Sequence, residues 1–246
     1  MAYLVDDRIW RLNEIAKKGN IDAFYKFIRN DVKLLEEMDE LPFVDTPLHI
    51  AASLGHIPFA MEMMRLKPSF ARKPNPDGYS PIHLALQNGK TQMACRLLRD
   101  DGDLVRVKGR EGMTPLHCVV AYDYLDLLPE FLSVCPHSIG DVTIQNETAL
   151  HIALKYDKLE AFKLMVKWLE EKLLQSTVTI SWKDDEGNTV LHVAAVSTLL
   201  ALRNDVGIDV KNLEGNTPWD ILVGQKQVDN MEIRIMLQRA MRPGRW

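Results

Sequence analysis

The element Thr46-Pro-Leu-His49 returns as Ser80-Pro-Ile-His83, Thr114-Pro-Leu-His117 and Thr148-Ala-Leu-His151, each copy starting 34 residues after the one before. A chain that repeats at this interval does not gather distant segments around one core. Each unit buries its apolar side against its neighbours, and the fold grows as a stack. The element continues as Thr189-Val-Leu-His192, 41 residues further on, and as Thr217-Pro-Trp-Asp220, another 28 along. The 246 residues therefore divide into about seven units rather than one or two conventional domains.

Aligning the copies exposes what each column must do. Two residues before each Thr or Ser stand Gly78, Gly112, Gly187 and Gly215, where a tight hairpin-like turn needs positive φ. Asn146 holds this position in the fourth copy and Val44 in the first, so the first turn is expected to differ. The Thr or Ser is a helix N-cap and the following proline suits the first helical position, so a helix starts at every motif. Nine residues beyond each cap come Gly55, Gly89, Asp123 and Asp157, suited to a left-handed turn into a second, antiparallel helix. Ile57, Ala60, Met61 and Met64 then recur at helical spacing, as do Leu125, Leu128, Phe131 and Leu132.

These columns predict an all-α solenoid of stacked helix-turn-helix units joined by hairpin-like turns. Residues 11–41 are expected to form an N-terminal capping repeat, followed by regular repeats at 46–79, 80–113 and 114–147. A repeat with an insertion occupies 148–188, a shortened one 189–216, and a C-terminal capping repeat and tail 217–246. The seven extra residues, around Glu170 to Ser176, are expected to lengthen a second helix and its exit loop. The unit from Thr189 to Glu214 is too short for two full helices and is expected to be the weakest point, over Ser197 to Val206.

The motif Thr-Pro-Leu-His-x-Ala at this period identifies the chain as similar to ankyrin repeats. The stretches LNEIAKKGNIDAFYKFI, DTPLHIAASLGHIPFAMEMMRLKPSFARK and GREGMTPLHCVVAYDYLDLLPEFLSVCP further resemble plant ankyrin-repeat membrane proteins of the "bian da" and accelerated-cell-death type. That resemblance implies a non-catalytic protein-binding array in defence signalling, placed before a C-terminal region of several membrane spans. The membrane region is expected to be missing here, which leaves a truncated or splice isoform regulating a full-length relative as the alternative. Arg234, Arg239, Arg242 and Arg245 would flank a span if one followed, and otherwise form a basic tail.

Bulk properties restrict the other classes. A net charge of −4 supplies no drive toward nucleic acid. The start Met1-Ala-Tyr-Leu-Val-Asp6-Asp7 has acids where a secretory signal needs cations, and the longest apolar run, 13 residues from Val190 to Leu202, is too short to span a bilayer. Cys95, Cys118 and Cys135 lack a zinc or disulfide spacing, and a cytoplasmic setting is expected, or the cytosolic face of a membrane if the chain belongs to a longer protein.

Five histidines, His49, His83, His117, His151 and His192, share one column, but helices in a stack lie about 8–10 Å apart while zinc ligands converge within about 2 Å of the ion. The expected role is structural: each ring ties its Thr, as at Thr46, Thr114, Thr148 and Thr189, to turn backbone of the adjoining unit. No phosphate loop, nucleophile elbow or His-Glu-x-x-His occurs, so no enzyme, metal or cofactor is expected. Function then falls to the surface. Arg72, Lys73, Arg106, Lys108 and Arg110 are expected to make the early turn tips basic, against Asp184, Asp185 and Glu186 in the fifth. Arg106, Lys108 and Arg110 together with Tyr122 and Tyr156 form the candidate patch for a protein partner with an acidic segment. Trp182 is either a further contact or packing beneath the inserted loop.

Overall fold

The structure, a computed structural model, describes residues 7–172, 182–196, 210–218 and 220–221. Within them the capped helix starts are where the Thr and Ser column places them. Helices α4 (Pro47–Leu54), α6 (Pro81–Gln87), α8 (Pro115–Ala121), α10 (Ala149–Lys155) and α12 (Val190–Val196) each begin one residue after the cap. With α1 (Asp7–Lys17) at the head they pack in series, α1 on α4, α4 on α6, and so on to α12. Leu48, Ile82, Leu116, Leu150 and Leu191 fill one buried column of this inner row. Ala51, Ala85 and Ala153, four residues after the proline or its equivalent, are also fully buried, which lets successive helices approach closely.

A left-handed residue follows α4, α6, α8 and α10, with φ of +82° at Gly55, +68° at Gly89, +62° at Asp123 and +54° at Asp157. The chain then reverses into the outer row: α2 (Ile21–Ile28), α5 (Ile57–Leu66), α7 (Thr91–Asp100), α9 (Leu128–Val134) and α11 (Leu159–Lys172). The fold is the expected all-α solenoid, and among the described residues β-bridging is limited to one isolated bridge, Lys183 to Thr189.

Two features differ from the simple helix-turn-helix unit. Each regular outer helix is followed by a short 3-10 turn, Pro68–Arg72, Gly102–Arg106 and Pro136–Gly140, which buries the pairs Phe70 and Ala71, Leu104 and Val105, and Ser138 and Ile139. In the first unit a third helix, α3 (Leu34–Glu40), takes that place with Leu34 and Met38 buried. The insertion extends α11 to 14 residues, against 10 for α7. Its exit loop, the segment Ser197 to Val206 and the tail with Arg234, Arg239, Arg242 and Arg245 lie outside the described residues.

Candidate functional site

The recurring Thr/Ser-His pair is a brace between units. The ring Nδ1 lies 2.8 Å from the hydroxyl of Thr46, 2.7 Å from Ser80, 2.7 Å from Thr114, 2.8 Å from Thr148 and 2.9 Å from Thr189. In the four threonine units the cap's own backbone N–H also donates to Nδ1, at 3.1–3.2 Å. On the far side Nε2 of His49 meets the Lys73 and Tyr79 carbonyls at 3.0 and 3.1 Å, and that of His83 meets the Met113 carbonyl at 2.9 Å. His117, His151 and His192 reach the carbonyls of Glu147, Asn188 and Asn216.

A carbonyl can only accept and a backbone N–H can only donate, so the surroundings dictate one neutral tautomer, with hydrogen on Nε2 and a bare Nδ1. Protonating Nδ1 would set two donors against each other inside the stack. Burial, the largest cause, holds His49, His83 and His117 down at about 4, and lowers His151 and His192 as well. Both ring nitrogens are occupied, which leaves no lone pair for a metal and no base for a substrate. In the last unit Asp220 replaces the histidine: its carboxylate accepts from the Thr217 N–H at 2.8 Å and hydroxyl at 2.7 Å.

The turn before each cap is here called a finger, and four of them are closed from within by a side chain five residues ahead of the Thr or Ser. Asn75 Oδ1 accepts from the N–H groups of Asp77 and Tyr79, and Thr143 Oγ1 from those of Gln145 and Glu147. Asp184 and Asn212 repeat this bond for bond. The sequence signal for this closure is the column Asn75, Thr143, Asp184, Asn212. The third finger has Gly109 there, because a Cβ would lie 2.8 Å from Nε2 of His83. Fingers are then joined edge to edge: Ile144 N–H donates to Glu111, Asp185 N–H to Gln145 and Leu213 N–H to Glu186, at 3.0–3.1 Å.

The structure divides the candidate partner residues. Arg72, Lys73 and Arg106 do not stand free at finger tips; they leave the 3-10 turns and pin one unit to another. Arg72 pairs with Asp101, and Arg106 holds Asp141 through Nε at 2.8 Å. Lys73 has its side chain only 9% exposed and donates to the Asp39 carbonyl at 2.6 Å. Each of these partners sits in a different unit, and the basic tip read from sequence shrinks accordingly. Lys108 and Arg110 remain exposed and make no ion pair among the described residues.

Tyr122 and Tyr156 end α8 and α10 at 41% and 51% exposure. Tyr122 lies 6.0 Å from Tyr124, whose hydroxyl donates to the Leu86 carbonyl. Partial burial, then the neighbouring Cys118, Tyr79, Tyr124 and Tyr156, push the Tyr122 phenol up to about 12. It is therefore a neutral donor at any physiological pH. Trp182 is half-buried, and its ring lies so close over Gly140 that any Cβ there would collide with it. It thereby packs the segment before the fifth cap against the fourth unit. Cys118 is fully enclosed and burial pushes its thiol up to about 12, so it is an inert core group.

With this geometry in place, comparison with known proteins is direct. The sequence profile of ankyrin repeats, three copies, matches residues 12–108 and 116–212, and the chain belongs to the ankyrin-repeat family, whose arrays are protein–protein interaction modules. It is 40% identical over 235 residues to the ankyrin repeat-containing protein BDA1 of Arabidopsis thaliana. The match takes in 92% of this chain and 55% of that relative, so the chain spans a little over half the relative's length. Among the described residues no helix is long and apolar enough to cross a membrane.

Proposed function

We propose that this array is a non-catalytic holder of a protein partner, acting in plant defence or stress signalling as the cytosolic, ankyrin-repeat portion of a membrane-associated system. The observation that carries the reading is the pair Tyr122 and Tyr156 at the ends of successive inner helices, both exposed, with exposed Lys108 and Arg110 in the finger that leads into the first of these helices and in no ion pair among the described residues. Exposed aromatic rings and arginine have the composition of interface anchors. An acidic group of the partner would meet Lys108 or Arg110 while the rings cover its apolar surface. The signalling role and the membrane setting rest on the resemblance to the plant family. The second reading, an isoform that regulates a longer relative, rests on that resemblance as well.

Affinity capture from plant tissue tests the surface. A Tyr122→Ala/Tyr156→Ala variant is expected to lose the captured partner by at least about tenfold, the effect of removing two interface anchors. A Lys108→Glu/Arg110→Glu variant is expected to weaken capture and its salt dependence. Arg106 is left intact in both, since its loss would free Asp141 and disturb the stack. Undiminished capture by the tyrosine variant would remove this face from the account.

A further inference from the structure

Beyond the tyrosines, the finger row changes character. A groove of about 1000 Å³ runs along fingers four to six, between their inner edges and helices α10 and α12. It is lined by Leu154 and Ile221 and by the carboxylates of Glu147, Asp185, Glu186 and Glu214, besides Asp184, whose carboxylate closes the fifth finger from within. Glu147 is answered by Lys155 at 2.7 Å. The other three meet only amides: Asn146 donates to Asp185, Asn188 to Glu186 and Asn216 to Glu214. None of the three pairs with a cation among the described residues.

We infer that this groove takes a polyproline II segment of the partner carrying lysine or arginine at every third residue. This deepens the proposed function and rests on it. The carboxylates are spaced by the repeat rather than gathered: among the described residues no three His, Cys, Asp or Glu groups are placed to hold one metal ion. A strip of charge matches a chain, not a point. Stacked helices, and the fingers they carry, advance by about 8–10 Å, while a polyproline II segment advances about 3.1 Å per residue and, at three residues per turn, brings every third side chain back to the same side. Three residues of the guest therefore cover one unit of the host. Cations at that spacing meet successive fingers, and the intervening side chains reach the aliphatic lining. Charge of this kind governs orientation and partner choice. The bound segment then runs from an acidic end near Lys108 and Arg110 to a basic end over fingers five and six, which fixes its direction.

The probe is a fluorescein-labelled ten-residue peptide with lysine at every third position and alanine and serine between, measured by anisotropy with the full chain. Two comparison peptides carry the lysines in one block, or glutamate in their place. The spaced peptide is expected to bind best, the glutamate peptide not at all, and Glu186→Lys/Glu214→Lys to weaken the spaced peptide at least about tenfold with unchanged circular dichroism and melting. Equal binding of both lysine peptides, or indifference to the charge reversal, overturns the inference. Sedimentation showing a dimer that the same reversal dissolves would assign the groove to a second copy and overturn it too. If the peptide fails while the tyrosine variant still loses its partner, the inference falls and the proposed function stands.

Discussion

Acidification from pH 7.5 to 4.5 is expected to unfold this array, through its histidines and before its carboxylates matter. His49, His83 and His117 sit at about 4 in the folded chain against about 6.5 when unfolded. Above pH 6.5 both states are neutral at these rings and stability is flat. Below it the unfolded chain takes up protons that the folded chain refuses, so stability falls as pH drops and levels off only near pH 4. Each ring costs at most about 1.4 kcal/mol per pH unit in that window, so the three together cost about 4 kcal/mol per pH unit, or about 8 between pH 6.5 and 4.5. A domain typically has about 5–15 kcal/mol to lose. The lowered carboxylates, Asp39, Glu62 and Glu130 among them, add their loss only at lower pH, below the usual carboxylate range. Urea titrations followed by circular dichroism at pH 7.5, 6.5, 5.5 and 4.5 check this: a midpoint unchanged down to pH 5 contradicts it.

The second large effect is expected at Gly112. Its φ is +70°, and a Cβ would lie 2.9 Å from the backbone nitrogen of Ile144, in the neighbouring finger. That nitrogen is the donor to Glu111 in the bond joining fingers three and four. Backbone on both sides cannot swing aside as a side chain can. Gly112→Ala should cost about 1–2 kcal/mol for the left-handed conformation and about 1–3 more for the forced separation. Gly55→Ala is the control. Its φ is +82°, but the added Cβ would meet only the Lys90 side chain, at 3.2 Å, which can move away. It should cost the conformational part alone. Urea denaturation of the two variants checks the difference, and equal losses would mean that finger-to-finger contact adds nothing to stability.

The division between what the residues announce and what they conceal follows from range. Caps, left-handed turns and helix starts are decided within a few residues, and repetition multiplies the signal. Thr46 to His49 and Gly55 would be ambiguous once, yet four aligned copies make them plain. The histidine brace was legible for the same reason, though its carbonyl partners emerged only from the structure. The ion pairs were not legible. Arg72 and Asp101 are 29 residues apart and Arg106 and Asp141 are 35 apart, neither of them the repeat interval, so no column aligns them. Reading Arg72, Lys73 and Arg106 as open tips failed because long side chains reach across units. The 3-10 turns escaped because their buried pairs, such as Leu104 and Val105, are too short to show a period. The acidic groove escaped because it is assembled from three fingers separated by an insertion.

The central claim is that the histidine column is an internal brace, which leaves the fingers and inner helices as the working face. Long-range proton–nitrogen NMR of the imidazoles tests it most directly. The account predicts that His49, His83, His117, His151 and His192 all show the neutral tautomer with hydrogen on Nε2, and that His49, His83 and His117 remain unprotonated at pH 5.5. Rings carrying hydrogen on Nδ1, or titrating near 6.5, would contradict the brace and return these histidines to the list of candidate chemical groups.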